Sequence, residues 1–362
     1  MQALPALALA LLTLSPSLLP AQKVERYTLE GDDIAIYNLA GALTVEAGTG
    51  SVTVELLRGG RDAARLRVER GELRDRETLR VVYPSQDVAY AGLEDGSSTT
   101  LKVRDDGTFG DGGDRHDHDY DDDDDDRPSG RTVRISRGRG DLQAHADMKV
   151  RVPVGSRVAF HLAVGRVSIA NVYGEIMVDS HSAPVTVTAP RGSYSVDVGS
   201  GDVQVSGAEG TLRVDTGSGS VTVTGFRGDE LSVDTGSGQV SGSQLTARSI
   251  NVDTGSGDIE LSAVTCPELA LETGSGSIST DLRGPVRDLS LETGSGDISV
   301  RAPATLAGEV EIETASGEIE TDFPIQVTRH ARDHVVGRIG DGVGRVAIET
   351  GSGDVRLLRS AN

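Results

Sequence analysis

Three copies of the tetrapeptide Asp-Thr-Gly-Ser contain the residues that most resemble a catalytic motif. They begin at Asp215, Asp234 and Asp253, and the tetrapeptide has the form in which aspartic proteases carry their carboxylates. That chemistry needs two carboxylates about 3 Å apart that share one proton, supplied by two separate lobes. Copies 19 residues apart leave no room for lobes. We therefore interpret the tetrapeptide as part of a structural repeat, and we expect no enzyme activity.

Cation binding is a second chemistry that these carboxylates permit. Later copies of the tetrapeptide carry Glu in place of Asp, and stacked strands would place neighbouring copies about 4.8 Å apart. Each neighbouring pair would then repel by ~0.9 kcal/mol in water. One hypothesis is that cations such as calcium, or the positive face of a polymer, bind along the row, and the other is a screened, solvated edge without a bound cofactor. The row comprises Asp197, Asp215, Asp234, Asp253, Glu272, Glu292 and Glu313.

The densest group of carboxylates is an Asp-rich segment between Arg104 and Arg127, which contains twelve Asp. Almost none of its residues can enter a core, which predicts a disordered acidic insertion over residues 104–130. Its oxygens suit a divalent cation, whereas the alternative is a solvated loop with diffuse counterions, because no spacing matches an EF-hand. The candidate ligands are Asp117, Asp119, Asp121, Asp122, Asp123, Asp124, Asp125 and Asp126.

The carboxylates of the Asp-Thr-Gly-Ser copies and their Glu counterparts belong to a sequence repeat, which must position them. Successive copies follow at steps of 18 to 21 residues, and the last step is 36. The double step predicts one degenerate unit between Asp322 and Gly344. Within a unit, apolar and polar residues alternate before and after a Gly-Ser-Gly corner, which is typical of half-buried strands joined by a tight turn.

Such a unit cannot bury its apolar face alone, but stacked units can. We therefore predict an all-β protein with a parallel β-solenoid, or β-helix, of roughly 18–20-residue coils, with a β-sandwich or barrel of antiparallel hairpins as the alternative. The predicted inward columns are Val196, Val214, Val233, Val252, Leu271, Leu291 and Ile312 before the corner, and Val203, Val221, Val240, Ile259, Ile278, Ile298 and Ile319 after it.

Several motifs resemble those of a known family. They are the lead-in Val150-Arg151-Val152-Pro153-Val154-Gly155-Ser156, the recurring Thr-Gly-Ser-Gly-Asp-Ile/Val corner, and the closing Gly337-Arg338-Ile339-Gly340-Asp341-Gly342. On these motifs the chain resembles a bacterial exported, adhesin-like family of β-strand repeats, domain of unknown function 4097. The resemblance covers residues 140–360 well and 30–103 loosely. It implies a β-solenoid in the cell envelope and supplies no catalytic residues.

Composition and the first residues indicate where the chain acts. The 362 residues include 56 acidic and 35 basic ones, for a net charge of −21, which disfavours nucleic acid as a partner. The single cysteine, Cys266, excludes an intramolecular disulfide framework. Residues 1–21 carry no charge, have an apolar core at residues 3–12 and end in Leu19-Pro20-Ala21, which predicts a signal peptide, with no transmembrane segment after its cleavage.

The predicted organisation is a signal peptide at 1–21, an N-terminal β-strand segment at 22–103 that is a candidate for the first coils, the acidic loop at 104–130 and the main solenoid at 131–362. We expect an exported protein of the periplasm, outer surface or extracellular space that binds a cell-surface or extracellular polymer. The alternatives are a structural or stress-response envelope component with a protein partner, and a polysaccharide-acting β-helix enzyme. The end after Asn362 has no obvious cap, which predicts end-to-end self-association.

Overall fold

The alternation of apolar and polar residues produces β-strands throughout the repeat. The computed structural model describes residues 23–93, 97–110, 130–138 and 140–360, apart from the side chain of His330. In this part of the chain the regular structure is β-strand, with one short 3-10 turn at Ala63–Arg65. The all-β prediction is confirmed. The predicted signal peptide and residues 111–129 of the predicted acidic insertion lie outside the described residues.

Eleven strands precede the regular repeat. They are β1 (Val24–Leu29), β2 (Asp33–Gly48), β3 (Val52–Gly59), β4 (Arg67–Leu73), β5 (Arg76–Val82), β6 (Asp87–Ala89), β7 (Ser98–Val103), β8 (Arg131–Ser136), β9 (Leu142–Gln143), β10 (His145–Pro153) and β11 (Ser156–Ala170).

The repeat then supplies pairs of strands on either side of each Gly-rich corner, and irregular strands follow near the C-terminus. They are β12 (Tyr173–Ser182), β13 (Val185–Thr188), β14 (Arg191–Ser200), β15 (Val203–Ser206), β16 (Glu209–Ser218), β17 (Val221–Thr224), β18 (Arg227–Ser237), β19 (Val240–Thr254), β20 (Ile259–Thr265), β21 (Glu268–Thr273), β22 (Ile278–Leu282), β23 (Asp288–Thr293), β24 (Ile298–Ala302), β25 (Gly308–Thr314), β26 (Ile319–Thr321), β27 (Ile325–His330), β28 (His334–Ile339), β29 (Gly344–Thr350) and β30 (Val355–Arg359).

Strands that precede the corners pair with one another in what we call the first strand row. Pairing is parallel from β5 to β25, and the strands at both ends are antiparallel to their neighbours. The order of the row is β4, β5, β2, β11, β12, β14, β16, β18, β19, β21, β23, β29, β25, β28 and β27.

Strands that follow the corners form the second strand row. It is parallel from β10 to β26, and β3 and β1 add antiparallel pairs at the other end. The long strands β2 and β11 continue through the corner and belong to both rows, so residues 33–48 stack directly on the repeat. The order is β1, β3, β10, β2, β11, β13, β15, β17, β19, β20, β22, β24, β30 and β26.

The C-terminal order differs from the sequence prediction. The residues predicted as a degenerate unit between Asp322 and Gly344 form instead the antiparallel hairpin β27–β28, which pairs with β25 and ends the first row. The last strands of the chain, β29 and β30, do not end the stack. They lie between the β23–β24 unit and the β25–β26 unit. The final coil therefore does not form the end of the stack, and end-to-end self-association stays a prediction.

The core is one continuous cluster of aliphatic side chains between the two rows. Every predicted inward residue except Ile319 is at most 2% exposed, and Ile319 is partly buried against the cluster. Ile348 and Val355 of the inserted unit add one more layer to each column. Like side chains stacked upon like bury the apolar face that one unit alone would expose.

Hydrogen bonds between units fix each corner. The buried hydroxyl of Thr273 donates to the carbonyl oxygen of Gly257 at 3.0 Å, and Thr293 repeats this contact with Gly276 at 2.9 Å. A Cβ on Gly219 would lie 2.2 Å from the carbonyl oxygen of Gly201, at a φ of +147°. Glycine is therefore required there, both for its backbone conformation and for the close approach of successive corners.

A second, smaller sheet accompanies the N-terminal end. Its strand order is β7, β8, β6 and β9, with β7 antiparallel to β8. Val88, Val133, Ile135 and Leu142 from three of these strands are fully buried and belong to the same core cluster as the two rows.

Candidate functional site: a ladder of stacked carboxylates

One outward carboxylate from each unit is paired directly with the carboxylate of the next unit in the first strand row. The position lies two residues before the corner glycine, where strand alternation turns the side chain away from the core. We call these nine residues the carboxylate ladder. In spatial order they are Asp179, Asp197, Asp215, Asp234, Asp253, Glu272, Glu292, Glu349 and Glu313.

All seven predicted row residues take part in this register; they are Asp197, Asp215, Asp234, Asp253, Glu272, Glu292 and Glu313. Their predicted order changes only at the C-terminal side. Sequence order places Glu313 beside Glu292, but the inserted unit puts Glu349 between them.

Burial and repulsion raise the pKa of several ladder carboxyls. Burial is the largest cause at Asp197, and the neighbouring charges of Asp179 and Asp215 add to it, so the pKa of Asp197 rises to about 6. The pKa of Asp253 is raised by burial and by Asp234, and that of Glu272 by burial and by both neighbours. The described residues place no Arg or Lys in an ion pair with Asp197, Asp234 or Asp253. These three carboxylates therefore carry negative charge that no ion pair among the described residues compensates.

The ladder becomes buried towards its N-terminal end. The strand positions next to Asp179 are occupied by His161, then Tyr37, then Arg80. The Nδ1 atom of His161 lies 3.0 Å from Oδ2 of Asp179, and the His161 and Tyr37 rings stack with centroids 4.2 Å apart. All three of these residues are at most 7% exposed. The head of the column is thus a packed and paired cluster.

The segment that leads into the Asp-rich run covers this cluster. The ring of Phe109 contacts Tyr37 edge-on, with centroids 5.9 Å apart. A Cβ on Gly110 would lie 2.0 Å from Oδ2 of Asp179, so only glycine fits there, at a φ of +86°. Arg80 donates a hydrogen bond from Nη1 to the carbonyl oxygen of Asp106 at 2.9 Å. The described chain before residue 111 therefore ends against the first carboxylate of the ladder.

At the other end, the capping hairpin supplies a second histidine. His334 is paired with Glu313 in the backbone register, and its Nε2 atom lies 3.2 Å from Oε1 of Glu311. A shallow depression of about 400 Å³ lies beside this pair, lined in part by Glu309, Thr328 and Arg345. It is an open surface feature of the cap.

The second strand row presents a different surface. Its outward side chains over four successive strands are neutral and exposed or half-buried. They are Thr186, Thr188, Gln204, Ser206, Thr222, Thr224, Ser241 and Ser243. The row of negative charge is therefore confined to the first strand row over these units.

Carboxylates at the corners have a structural role. Oδ1 of Asp258 accepts a hydrogen bond from the backbone N–H of Ser277 at 2.8 Å, and Asp202 accepts one from Ser220 at 2.9 Å. Each bond ties one corner to the next. The residues that the structure describes contain no group of three or more His, Cys, Asp or Glu placed to hold a metal ion. The candidate ligands Asp117, Asp119 and Asp121–Asp126 lie outside the described residues.

Sequence reasoning missed the residues at the head of the ladder. His161 precedes Asp179 by 18 residues, the same step that separates Asp179 from Asp197. Extending that step backwards identifies the position, although no Thr-Gly corner marks the unit. Tyr37 and Arg80 come from the N-terminal segment, which has no matching period.

Cys266 is also buried. Its Sγ donates to the carbonyl oxygen of Glu268 at 2.8 Å, and burial raises the pKa of the thiol. A buried thiol of raised pKa is a packing residue and not a reactive nucleophile.

Comparisons with solved structures found three similar chains. A putative adhesin from Parabacteroides distasonis ATCC 8503 is 11% identical with a TM-score of 0.40, over 92% of this chain and 98% of that chain. A putative adhesin from Parabacteroides merdae ATCC 43184 is 10% identical with a TM-score of 0.29, over 92% and 97%. A putative cell adhesion protein from Clostridium sporogenes ATCC 15579 is 10% identical with a TM-score of 0.19, over 94% and 100%.

A comparison with curated proteins found no match. Among the described residues no helix has the length and apolar character needed to cross a membrane. A family model matches residues 175–358, which is half of the chain and includes every ladder residue from Asp179 to Glu349. The chain belongs to the Toastrack DUF4097 family.

Proposed function

We propose that this chain is an exported, adhesin-like β-solenoid that acts without catalysis and binds an extended polymer of the cell surface or the extracellular space. The observation that carries the proposal is the carboxylate ladder, with one negative side chain per unit in unbroken register over nine strands. A charge row of constant spacing matches a partner whose positive groups also recur along its length.

The raised pKa of Asp197 supports a binding role for this face. Repulsion from Asp179 and Asp215 contributes to that rise, and a cationic partner would relieve it. Binding would then gain free energy by removing a strain that the free protein carries. We expect such binding to weaken with salt, because exposed charges are screened at about 10 Å in 0.1 M salt.

Burial of His161 and Cys266 supports the non-enzymatic part of the proposal. The imidazole of His161 is paired with Asp179 and is 2% exposed, and the thiol of Cys266 is 1% exposed. A polymer that lies along the ladder would contact neither group.

The binding experiment uses poly-L-lysine as a cationic polymer probe and titration calorimetry at low and high salt. The test variant is Asp215→Asn with Asp234→Asn and Asp253→Asn. The control variant is Glu260→Gln, which removes one outward charge from the second strand row. We expect affinity to fall at least tenfold in the test variant and to stay within twofold in the control. Equal affinity in both variants contradicts the proposal.

Protease digestion of intact cells tests the location. Cleavage without lysis supports the outer surface, where a polymer partner would be accessible. Protection until lysis favours instead the alternative of an internal envelope component with a protein partner.

A further inference from the structure

The final unit of the chain fills a space between two units that precede it in sequence. Strand β29 is paired in register with β23 on one side and with β25 on the other. Strand β30 lies in the same way between β24 and β26. We call the space that residues 344–359 occupy the insertion slot. Two strand edges on each side of the slot are satisfied only when this segment is in place.

The contacts made in the slot are those of any other unit. The hydroxyl of Thr350 donates to the carbonyl oxygen of Gly296, and the hydroxyl of Thr314 donates to that of Gly353, each at 3.0 Å. The backbone N–H of Asp354 donates to Oδ1 of Asp297 at 2.9 Å. These contacts depend on residues of the repeat motif. They do not depend on the covalent link that joins residues 344–359 to the preceding chain.

The link itself is short and exposed. Residues 340–343 connect the capping hairpin to β29, Gly340 has a φ of +56°, and Val343 is 94% exposed. The link passes the start of β25, because β28 and β29 lie on opposite sides of that strand. Opening it would release residues 344–359 as one piece. Strands β23 and β24 would keep their pairs with β21 and β22, and β25 its pair with β28, whereas β26 would lose its pairing with β30.

We propose that the insertion slot also accepts residues 344–359 of a second copy of this chain, so that two copies join by exchanging their last units. An exchanged unit forms every pairing of the closed form, so the contacts offset one another and association entropy is the main cost. The exchange competes with closure during folding, because both slot edges stay open until the end of the chain arrives.

The test mixes two variants of the full chain that each carry one added cysteine, Ser290→Cys and Ala347→Cys. These residues are directly paired across the slot on β23 and β29, at a spacing that a disulfide can bridge. The variants are unfolded together, refolded at high concentration with reductant and then oxidised. A covalent heterodimer forms only if the last unit of one copy occupies the slot of the other.

The matched control mixes Ala270→Cys with Ser290→Cys, which are directly paired on β21 and β23, on the edge of β23 that is opposite to the slot. Wild-type protein controls for Cys266. We expect heterodimer from the first mixture at several times the level of the control. Equal levels in the two mixtures, or none in either, overturn the proposal.

A deletion gives an independent test by light scattering. Removing residues 341–343 leaves two Cα steps, about 7.6 Å at most, to join strands that are about 9.6 Å apart on either side of β25. The unit cannot then close on its own chain, so we expect dimers. A monomer whose last unit is sensitive to protease contradicts exchange. The poly-L-lysine experiment is independent of this result, because the ladder from Asp179 to Glu292 lies outside the slot.

Discussion

His161 and Asp179 are directly paired on the neighbouring strands β11 and β12, with Nδ1 of the imidazole 3.0 Å from Oδ2 of the carboxylate. This pair divides the outward column in two. On one side of the pair the column continues with the buried side chains of Tyr37 and Arg80. On the other side the carboxylates continue for eight more strands. The carboxylate at the N-terminal end of the ladder is thus the one with a buried histidine partner.

Replacing His161 by Phe tests this pairing. Phenylalanine keeps the ring that stacks on Tyr37 but removes the nitrogen, which leaves the carboxylate of Asp179 with a side-chain exposure of 16% and no imidazole. Loss of one member of a buried pair is costly, so we expect a loss of about 3 kcal/mol in the free energy of unfolding, measured with urea.

The matched control is His334→Phe at the other end of the ladder. Its partner Glu311 is 57% exposed, and exposed pairs contribute at most about 1 kcal/mol. Equal losses in the two variants would show that burial of the His161 pair has no special weight.

Stability should increase as the pH falls from about 7.5 to 5. The pKa of Asp197 is about 6 in the folded chain against an ordinary 3.8, so the folded state binds a proton that the unfolded state still lacks in this range. The ionised form destabilises the fold above pH 6, and acidification removes that penalty until the unfolded state is protonated as well, near pH 4.

The Asp197→Asn variant isolates this effect. Because the side chain is half-buried and solvent screens part of the repulsion, we expect a gain of about 1 kcal/mol at pH 7.5 that vanishes near pH 4. Urea unfolding at several pH values measures it. The Glu260→Gln variant is the control. A gain that is the same at every pH would contradict the assigned cause.

The repeat made most of the fold predictable. Residues Val214 and Val221 are inward and Asp215 is outward because strand alternation fixes their directions once the corner glycines are located. The ladder follows from the same reasoning, since equal steps bring equal positions into register.

The order of units at the C-terminus could not be predicted in this way. Leu291-Glu292-Thr293-Gly294 and Ile348-Glu349-Thr350-Gly351 are almost the same sequence, so local pattern does not select the neighbour of either unit. The hairpin β27–β28 has no Gly-Ser-Gly corner, which is why the degenerate-unit interpretation failed. The partner of Asp179 was missed because His161 lies in a unit without the motif.

The buried threonine column allows a comparison of two chemically identical substitutions. Thr273 donates from Oγ1 to the carbonyl oxygen of Gly257, whereas Oγ1 of Thr235 is buried without a hydrogen-bond partner. Valine has nearly the same shape as threonine. We expect Thr273→Val to lower the free energy of unfolding by about 1 kcal/mol and Thr235→Val to leave it unchanged or to raise it. Thermal or urea unfolding measures both variants, and losses of the same size would contradict the assigned hydrogen bond.

Two carboxylates five residues apart in one unit should respond with opposite signs. Asp258 accepts the backbone N–H of Ser277 at 2.8 Å, so Asp258→Ala leaves a donor without its partner, and we expect a loss of about 1 kcal/mol. Asp253 is a ladder residue whose pKa is raised by burial and by Asp234, so Asp253→Asn removes a repelling charge and should stabilise the fold at neutral pH.

Urea unfolding at pH 7.5 measures the free energy of unfolding of both variants, and a repeat of the measurement in salt provides the check. Because salt screens exposed charges but has little effect on a short hydrogen bond, 0.5 M NaCl should reduce the gain of Asp253→Asn and preserve the loss of Asp258→Ala. Destabilisation by both variants would mean that the ladder carboxylates are satisfied by contacts within the fold, and it would remove the electrostatic basis of the proposed binding face.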